Sequence, residues 1–135
     1  MNAKASILVV DDEEVVRRSY ARILDGMDCD AQAAADGEQA LQAMERRPFD
    51  VILLDLRMPG AQGLDVLKAI KQRWPASEVV IITGYPTVES AKEALQLGAC
   101  NYLAKPAAPD EVMDAARGAM RRKKWALRAE AAPVH

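Results

Sequence analysis

The sequence predicts a doubly wound α/β domain, in which helices cover both faces of a parallel sheet. Five short apolar runs alternate with five helical patterns, and the first, third and fourth runs are almost entirely aliphatic. Strands buried on both faces have this continuous aliphatic character, and helices between them form crossovers of one hand. The chain of 135 residues has the size of one such domain.

The predicted strands are short and are bounded by turn signals or charged residues. The second strand is the weakest prediction because it is rich in alanine rather than in branched residues. In chain order the strands are expected at residues 6–10, 29–35, 51–55, 79–83 and 100–104.

A helix is predicted after every strand, from apolar residues at helical spacing and from capping signals. Asp12 is expected to cap the first helix, and Asp36-Gly37 opens the second. Thr87 is expected to cap the fourth helix, which Gly98 ends. The third helix stops at Trp74-Pro75. We therefore expect one βα unit for each of the five strands.

The last helix begins near Asp110 and is predicted to continue to about residue 130, which is further than the fold needs. We predict a domain over residues 1–122, followed by a C-terminal helix extension and frayed tail over 123–135. The extension is rich in Lys and Arg, and we interpret it as a solvated helix end, where cations suit the helix dipole, with no direct nucleic acid binding by this domain. No apolar run is long enough to span a membrane and no secretory signal is visible, so we expect a cytoplasmic location.

Polar residues that carry chemistry follow four of the predicted strands, at the point where each strand ends. They are Asp11 and Asp12 after the first strand, Asp55 after the third, Thr83 at the end of the fourth and Lys105 after the fifth. Ligands bind at this edge in open parallel sheets. Two carboxylates about 4 Å apart repel by roughly 4 kcal/mol at an effective dielectric of about 20.

Lys105 offsets one of the three negative charges, and a divalent cation would offset the others. The carboxylate ligands, without histidine or thiolate, favour a hard ion such as Mg²⁺ or Mn²⁺. A metal, a lysine, a hydroxyl group and a carboxylate nucleophile are the groups needed for phosphoryl transfer to an aspartate, here Asp55.

Four segments resemble the receiver domain of two-component response regulators, of the CheY-like type. They are Val9-Val10-Asp11-Asp12, Asp55-Leu56-Arg57-Met58-Pro59-Gly60, Ile82-Thr83-Gly84 and Tyr102-Leu103-Ala104-Lys105-Pro106. The resemblance implies the flavodoxin-like (βα)5 fold with strand order 2-1-3-4-5. Residues 83–91 further resemble receivers that precede σ54-activator or other DNA-binding output domains.

The resemblance also implies roles for individual residues. Asp55 would be the phosphoacceptor. Asp12, Asp55 and the backbone carbonyl of Arg57 would bind the metal directly, and Asp11 through water. Lys105 would pair with the phosphoryl group, Thr83 and Tyr102 would form the switch pair, and the peptide bond before Pro106 would be cis.

The function implied is a phosphorylation-dependent signalling switch rather than an enzyme. A sensor histidine kinase would donate the phosphoryl group, and the face made by the fourth helix, fifth strand and fifth helix would relay the change. That face would also be the surface for a homodimer. A covalent output domain absent from this chain is favoured, and a stand-alone receiver acting on a protein partner or in a phosphorelay is the alternative. An aspartate-based phosphohydrolase is disfavoured because it needs an acid where Arg57 stands.

Two departures from the family pattern bear on the chemistry. Gly84 follows the switch threonine where the family often has alanine, and we expect it to loosen that loop. Arg57 and Tyr85 occupy positions that influence hydrolysis in the family. Because both side chains are long, we predict that they shield Asp55 and that the phosphoryl group lasts longer than seconds.

Overall fold

A computed structural model describes residues 4–27, 29–57 and 63–131, with side chains described as far as residue 123. The strands are β1 (Ser6–Val10), β2 (Asp30–Ala34), β3 (Val51–Leu54), β4 (Glu78–Thr83) and β5 (Asn101–Ala104). The helices are α1 (Glu14–Asp25), α2 (Gly37–Arg46), α3 (Gly63–Arg73), α4 (Val88–Gln96) and α5 (Pro109–Ala131). The five strands form one parallel sheet of order β2-β1-β3-β4-β5, so the predicted fold is confirmed.

The core consists of two apolar clusters, one on each face of the sheet. Alternate residues of β1, such as Leu8 and Val10, pack with Met44 of α2 and Leu67 of α3. The intervening residues, such as Ile7, pack on the opposite face with α1 and α5. This alternation explains why β3 is aliphatic throughout and why β1 and β4 are aliphatic except at their ends, since neither face of these strands meets water.

The helix ends agree with the predicted signals at α2 and α4. Asp36 is the N-cap of α2, and its side chain accepts a hydrogen bond from the Gln39 N–H. Thr87 caps α4 in a reciprocal capping box with Ser90. Gly98 follows α4 with a φ of 106°, a left-handed conformation that glycine adopts without strain.

The prediction for the start of α1 was wrong. Glu13, not Asp12, is the N-cap residue, and it makes no side-chain capping hydrogen bond. The Asp11 carboxylate instead accepts a hydrogen bond from the Glu13 N–H at 2.9 Å. The helix therefore begins one residue later than predicted. The carboxylate of Asp12 is thereby left out of helix capping.

The other deviations are single-residue shifts at element ends. β2 lacks the predicted residues 29 and 35, and β3 ends at Leu54, one residue before the predicted end. β4 begins one residue earlier than predicted, and β5 begins one residue later. Among the described residues, no helix combines the length and the apolarity that a membrane span would need.

The basic residues of α5 do more than face solvent, because two of them make ion pairs with acids at the amino edge of the sheet. Lys123 Nζ lies 2.9 Å from Asp50 Oδ1, and Arg122 Nε lies 3.5 Å from the buried Glu78. Asp50 Oδ2 also accepts a hydrogen bond from the Ser6 N–H at 2.9 Å. The predicted division after residue 122 therefore falls within a continuous helix and beside a residue that contacts the sheet.

We expect Lys123→Met to lower the free energy of unfolding by about 1 kcal/mol at neutral pH, because it leaves a half-buried carboxylate without its cation. Burial alone would raise the pKa of Asp50, but the hydrogen bonds from Ser6 and the charge of Lys123 hold it below 3.8. A depressed carboxyl pKa stabilises the fold above 3.8, and this contribution is lost as the pH falls through the folded-state pKa.

Urea unfolding at several pH values measures this effect, with Arg121→Met as the control, since Arg121 is exposed on the same helix turn. The deficit of Lys123→Met should shrink at acidic pH. Equal stability of the two variants at neutral pH would contradict the prediction.

Candidate functional site

Three acidic side chains meet at the carboxyl edge of the sheet. Asp11 and Asp12 follow β1, and Asp55 follows β3. One carboxylate oxygen of each lies within 4.8 Å of the others. Asp11 and Asp55 are buried, whereas Asp12 is exposed. The three acids that the sequence brings to two strand ends are therefore together in space.

Lys105 bridges the two buried acids. Its Nζ donates hydrogen bonds to Asp11 Oδ2 at 2.5 Å and to Asp55 Oδ2 at 3.0 Å. Burial alone would lower the pKa of Lys105, but these two carboxylates raise it to about 12. The Lys105 N–H donates to the Thr83 carbonyl at 2.8 Å, and the peptide bond between Lys105 and Pro106 is cis. Lys105 is thus a fixed, fully charged cation.

Asp55 is held in place by one contact at each oxygen. Oδ1 accepts the Arg57 N–H at 3.1 Å, and Oδ2 accepts from Lys105. Burial and the nearby Asp11 charge raise the pKa of Asp55, and they outweigh the hydrogen bonds that lower it. Three carboxylates and one lysine leave the site with more negative charge than Lys105 offsets, and a further cation would balance it.

The donor set suits a hard divalent cation. Asp11 Oδ1 is engaged by the Glu13 N–H and Oδ2 by Lys105, so Asp11 is already largely satisfied. The Asp12 carboxylate makes no hydrogen bond or ion pair with any residue that the structure describes. Carboxylate oxygens without nitrogen or sulfur ligands are typical of Mg²⁺ and Mn²⁺ sites. The role of the Arg57 carbonyl as a ligand stays a prediction, and residues 58–62 of the same motif lie outside the described residues.

The two predicted switch residues lie on neighbouring strands, and each bonds elsewhere. Thr83, at the end of β4, is fully buried, and its Oγ1 accepts the Tyr85 N–H at 3.2 Å. Tyr102 on β5 is half-buried, and its hydroxyl lies 2.6 Å from Ser90 Oγ. The Tyr102 side chain therefore contacts α4.

Ser90 is a residue whose connection to the site was not predicted. Its hydroxyl closes the capping box with Thr87 and also bonds Tyr102. The capping pattern was visible in the sequence, but the contact with Tyr102 depends on how α4 packs beside β5. Ser90 joins the first turn of α4 to the tyrosine ring.

We expect Ser90→Ala and Tyr102→Phe to be coupled by about 0.5–1 kcal/mol in a double-mutant cycle of unfolding free energies. Ser90→Ala alone should cost about 1 kcal/mol, because it also removes half of the capping box. Thr87→Ala serves as the control, since it weakens the same cap without touching Tyr102. If Ser90→Ala were coupled to Tyr102→Phe no more strongly than Thr87→Ala is, the hydrogen bond between Ser90 and Tyr102 would not stabilise the fold.

Arg57 and Tyr85 form a pair on the surface beside Asp55. The Arg57 guanidinium carbon lies 3.8 Å from the centroid of the Tyr85 ring, which is cation–π distance. Both side chains are exposed. Gly84, between Thr83 and Tyr85, has only Lys105 Cδ within 4 Å of a built Cβ, at 3.9 Å, so alanine would fit there sterically.

Two further features near the acids were not predicted, one at an arginine and one at a glycine. The Arg17 Nη1 donates to the Asp11 carbonyl at 2.8 Å. A Cβ on Gly63 would lie 2.4 Å from Leu56 Cα, so only glycine fits where α3 begins. The glycine was part of a recognisable motif, whereas nothing in the spacing of Arg17 distinguishes it from Arg18.

Comparison with known proteins agrees with this geometry. The family model described as the response regulator receiver domain matches residues 7–117. The alginate biosynthesis transcriptional regulatory protein AlgB of Pseudomonas aeruginosa is 36% identical over 93% of this chain and 28% of its own length.

Two crystal structures of NtrX from Brucella abortus are similar as well. The receiver domain of NtrX superimposes with a TM-score of 0.81 at 34% identity, covering 85% of this chain and 98% of that one. A longer NtrX structure gives a TM-score of 0.88 at 32% identity, covering 95% of this chain and 29% of that one. The chain thus spans less than a third of the length of AlgB and of the longer NtrX.

Proposed function

The chain belongs to the family of response regulator receiver domains, and from this membership we propose that it is a phosphorylation-dependent switch whose acceptor is Asp55. The observation that carries the proposal is the Lys105 bridge between Asp11 and Asp55. It places a fixed cation beside a buried carboxylate at the ligand-binding edge of the sheet.

The proposed step is the transfer of a phosphoryl group from phosphohistidine of a sensor kinase. A carboxylate oxygen of Asp55 forms the new bond to phosphorus, and the bond from phosphorus to the histidine nitrogen breaks. The nitrogen keeps the electron pair of that bond. Lys105 favours the ionised, nucleophilic form of Asp55 and then balances the charge of the phosphoryl oxygens.

A Mg²⁺ or Mn²⁺ ion held by Asp12, Asp55 and the Arg57 carbonyl, with Asp11 acting through water, would supply the remaining positive charge. The Asp12 carboxylate is exposed and has no partner among the residues that the structure describes, which supports this assignment because no contact described there would have to break when a ligand binds.

The switch itself is assigned to Thr83 and Tyr102. The Thr83 hydroxyl would turn from the Tyr85 N–H towards the phosphoryl group, and Tyr102 would leave Ser90 as its ring moves inward. The first change would give up the hydrogen bond between Thr83 and Tyr85, and the second the hydrogen bond between Tyr102 and Ser90. Phosphorylation then biases two states of the face formed by α4, β5 and α5.

The proposed switch function implies three partners. They are a sensor histidine kinase, a second copy through the α4–β5–α5 face, and a covalent output domain that acts in transcription, in the cytoplasm. The length of AlgB and its description as a transcriptional regulator support an output domain, which would be of the σ54-activator type or another DNA-binding type. A stand-alone receiver acting on a protein partner or in a phosphorelay is the second candidate. We assign no enzymatic turnover, since Arg57 stands where a phosphohydrolase needs an acid.

Incubation with acetyl phosphate and Mg²⁺ tests the proposal. Intact-protein mass spectrometry should detect one phosphoryl group on the wild type and none on Asp55→Asn. Beryllofluoride with Mg²⁺ should change the NMR spectrum around Thr83 and Tyr102. Continuous phosphate release at many turnovers would favour a hydrolase, and the absence of any response would favour a pure interaction module.

A further inference from the structure

Arg17 connects the first helix to the acidic site through the main chain. Its Nη1 donates a 2.8 Å hydrogen bond to the Asp11 carbonyl, six residues earlier. The Arg17 N–H donates to the Glu13 carbonyl at 3.1 Å, so its backbone belongs to the first turn of α1. The side chain therefore reaches back from the helix to the loop that carries Asp11 and Asp12.

The Asp11 carbonyl belongs to the peptide unit from which Asp12 follows. The orientation of this planar unit sets the direction in which the Asp12 Cα and its carboxylate project. Asp12 has no side-chain partner among the described residues. Its position near Asp11 and Asp55 thus depends on how its backbone is held.

The loop between β1 and α1 has few other restraints. Glu13 caps α1 without a side-chain hydrogen bond, in contrast to Asp36 and Thr87 at α2 and α4. Asp11 bonds the Ala34 carbonyl through its own N–H, and Lys105 and the Glu13 N–H through its carboxylate. Those contacts fix Asp11 itself, whereas the carbonyl that leads to Asp12 is held by Arg17.

We infer that Arg17 is a positioning residue for the metal site, holding the Asp11–Asp12 peptide so that the Asp12 carboxylate faces the cation. The inference rests on the proposed function, because it deepens the role assigned to Asp12. Arg17 does not touch the ion or the phosphoryl group. It acts through the main chain, as outer-shell residues do when they orient a ligand.

The charge of Arg17 and its positioning role predict opposite changes in Mg²⁺ affinity when the side chain is removed. A guanidinium bonded to the Asp11 carbonyl would repel a divalent cation bound by the adjacent acids, so if only its charge mattered, its removal would tighten Mg²⁺ binding. If Arg17 orients Asp12, its removal weakens Mg²⁺ binding, by about tenfold for a typical outer-shell contact. The sign of the change in affinity separates the two roles.

Calorimetric titration of the full chain with MgCl2 measures this sign. Arg17→Met should weaken Mg²⁺ binding about tenfold, and Arg17→Lys, which keeps a donor and a charge, should fall between it and the wild type. Arg18→Met is the matched control, because Arg18 is exposed on the same turn and pairs with Glu14 at the surface. Arg18→Met should bind Mg²⁺ as the wild type does.

A second readout separates positioning from general destabilisation. In phosphorylation by acetyl phosphate, Arg17→Met should need about ten times more Mg²⁺ for half-maximal rate, yet reach the wild-type rate at saturation. A lower maximal rate with unchanged Mg²⁺ dependence would overturn the inference, as would unchanged or tighter Mg²⁺ binding. If Arg17→Met does not fold, the same two outcomes are read from Arg17→Lys. A wild type that binds no Mg²⁺ would instead refute the proposed metal site itself.

Discussion

Lys105→Met is expected to lower the free energy of unfolding by about 3 kcal/mol at neutral pH without divalent ions, because two buried carboxylates lose their shared cation. The same variant should accept phosphoryl groups at least about a hundred times more slowly, as when an electrostatic contact to the transition state is removed. Methionine keeps most of the side-chain volume, so the change isolates the charge.

The pH dependence of this deficit follows from the two pKa shifts. The pKa of Lys105 is raised from 10.5 to about 12, so its stabilising contribution is complete below 10.5 and is lost as the pH rises through about 12. The pKa of Asp55 is also raised. A raised carboxyl pKa disfavours the fold at high pH, and the fold gains stability as the pH falls through that value. The deficit should therefore be largest near neutral pH and shrink towards both extremes.

Urea unfolding and the rate of acetyl phosphate labelling measure the two effects. Lys92→Met is the matched control, because Lys92 is exposed on α4 and should leave both quantities unchanged. Adding Asp11→Asn to Lys105→Met removes one of the repelling charges and should restore part of the stability. A Lys105→Met protein as stable as Lys92→Met at neutral pH would refute the electrostatic role.

The parts of this structure that the sequence predicts well are those governed by local pattern. β1 and β3 are short aliphatic runs because both of their faces are covered, and their parallel pairing places Asp11 and Asp55 at the same edge of the sheet. Lys105 directly follows β5 and is therefore expected at the same edge. The positions of these residues at the ends of parallel strands are sufficient to predict that they lie close together.

The parts that it predicts poorly depend on side chains meeting across the fold. Asp12 is a local exception: it resembled a helix cap because aspartate before an acidic first turn usually is one, but the Asp11 carboxylate accepts the Glu13 N–H two residues on, and Glu13 is the N-cap. The pairing of Lys123 with Asp50 joins α5 to the start of β3, and the spacing of basic residues carries no sign of it. The contact between Ser90 and Tyr102 was hidden in the same way, since it joins α4 to β5. The Arg17 hydrogen bond to the Asp11 carbonyl is local, but the sequence does not show the direction of that side chain.

The phosphoryl group on Asp55 is expected to persist for longer than seconds, because the Arg57–Tyr85 pair restricts the approach of water. The guanidinium lies 3.8 Å from the ring centroid, and the Arg57 N–H bonds the acceptor carboxylate at 3.1 Å. A cation–π contact at an exposed site is worth about 0.5–1 kcal/mol. With this energy, the contact between Arg57 and Tyr85 is formed for most of the time and broken for a minor fraction of it.

Loss of either partner should therefore speed hydrolysis by about fivefold, the population change that corresponds to about 1 kcal/mol. Arg57→Ala and Tyr85→Ala should have similar effects, and the double variant should be little faster than either, since each change breaks the same contact. Tyr85→Phe keeps the aromatic face and serves as the control. Its half-life should match that of the wild type.

The decay of purified phosphoprotein in Mg²⁺ after removal of acetyl phosphate gives these half-lives directly. A wild-type half-life of a few seconds would refute the shielding role. Two variants distinguish the charge of Arg57 from its stacking on the Tyr85 ring. If Arg57→Lys and Tyr85→Ala both decay at the wild-type rate, Arg57 acts through its charge alone. Faster decay in both Arg57→Ala and Tyr85→Ala, without additivity, requires the two side chains to act as one shield.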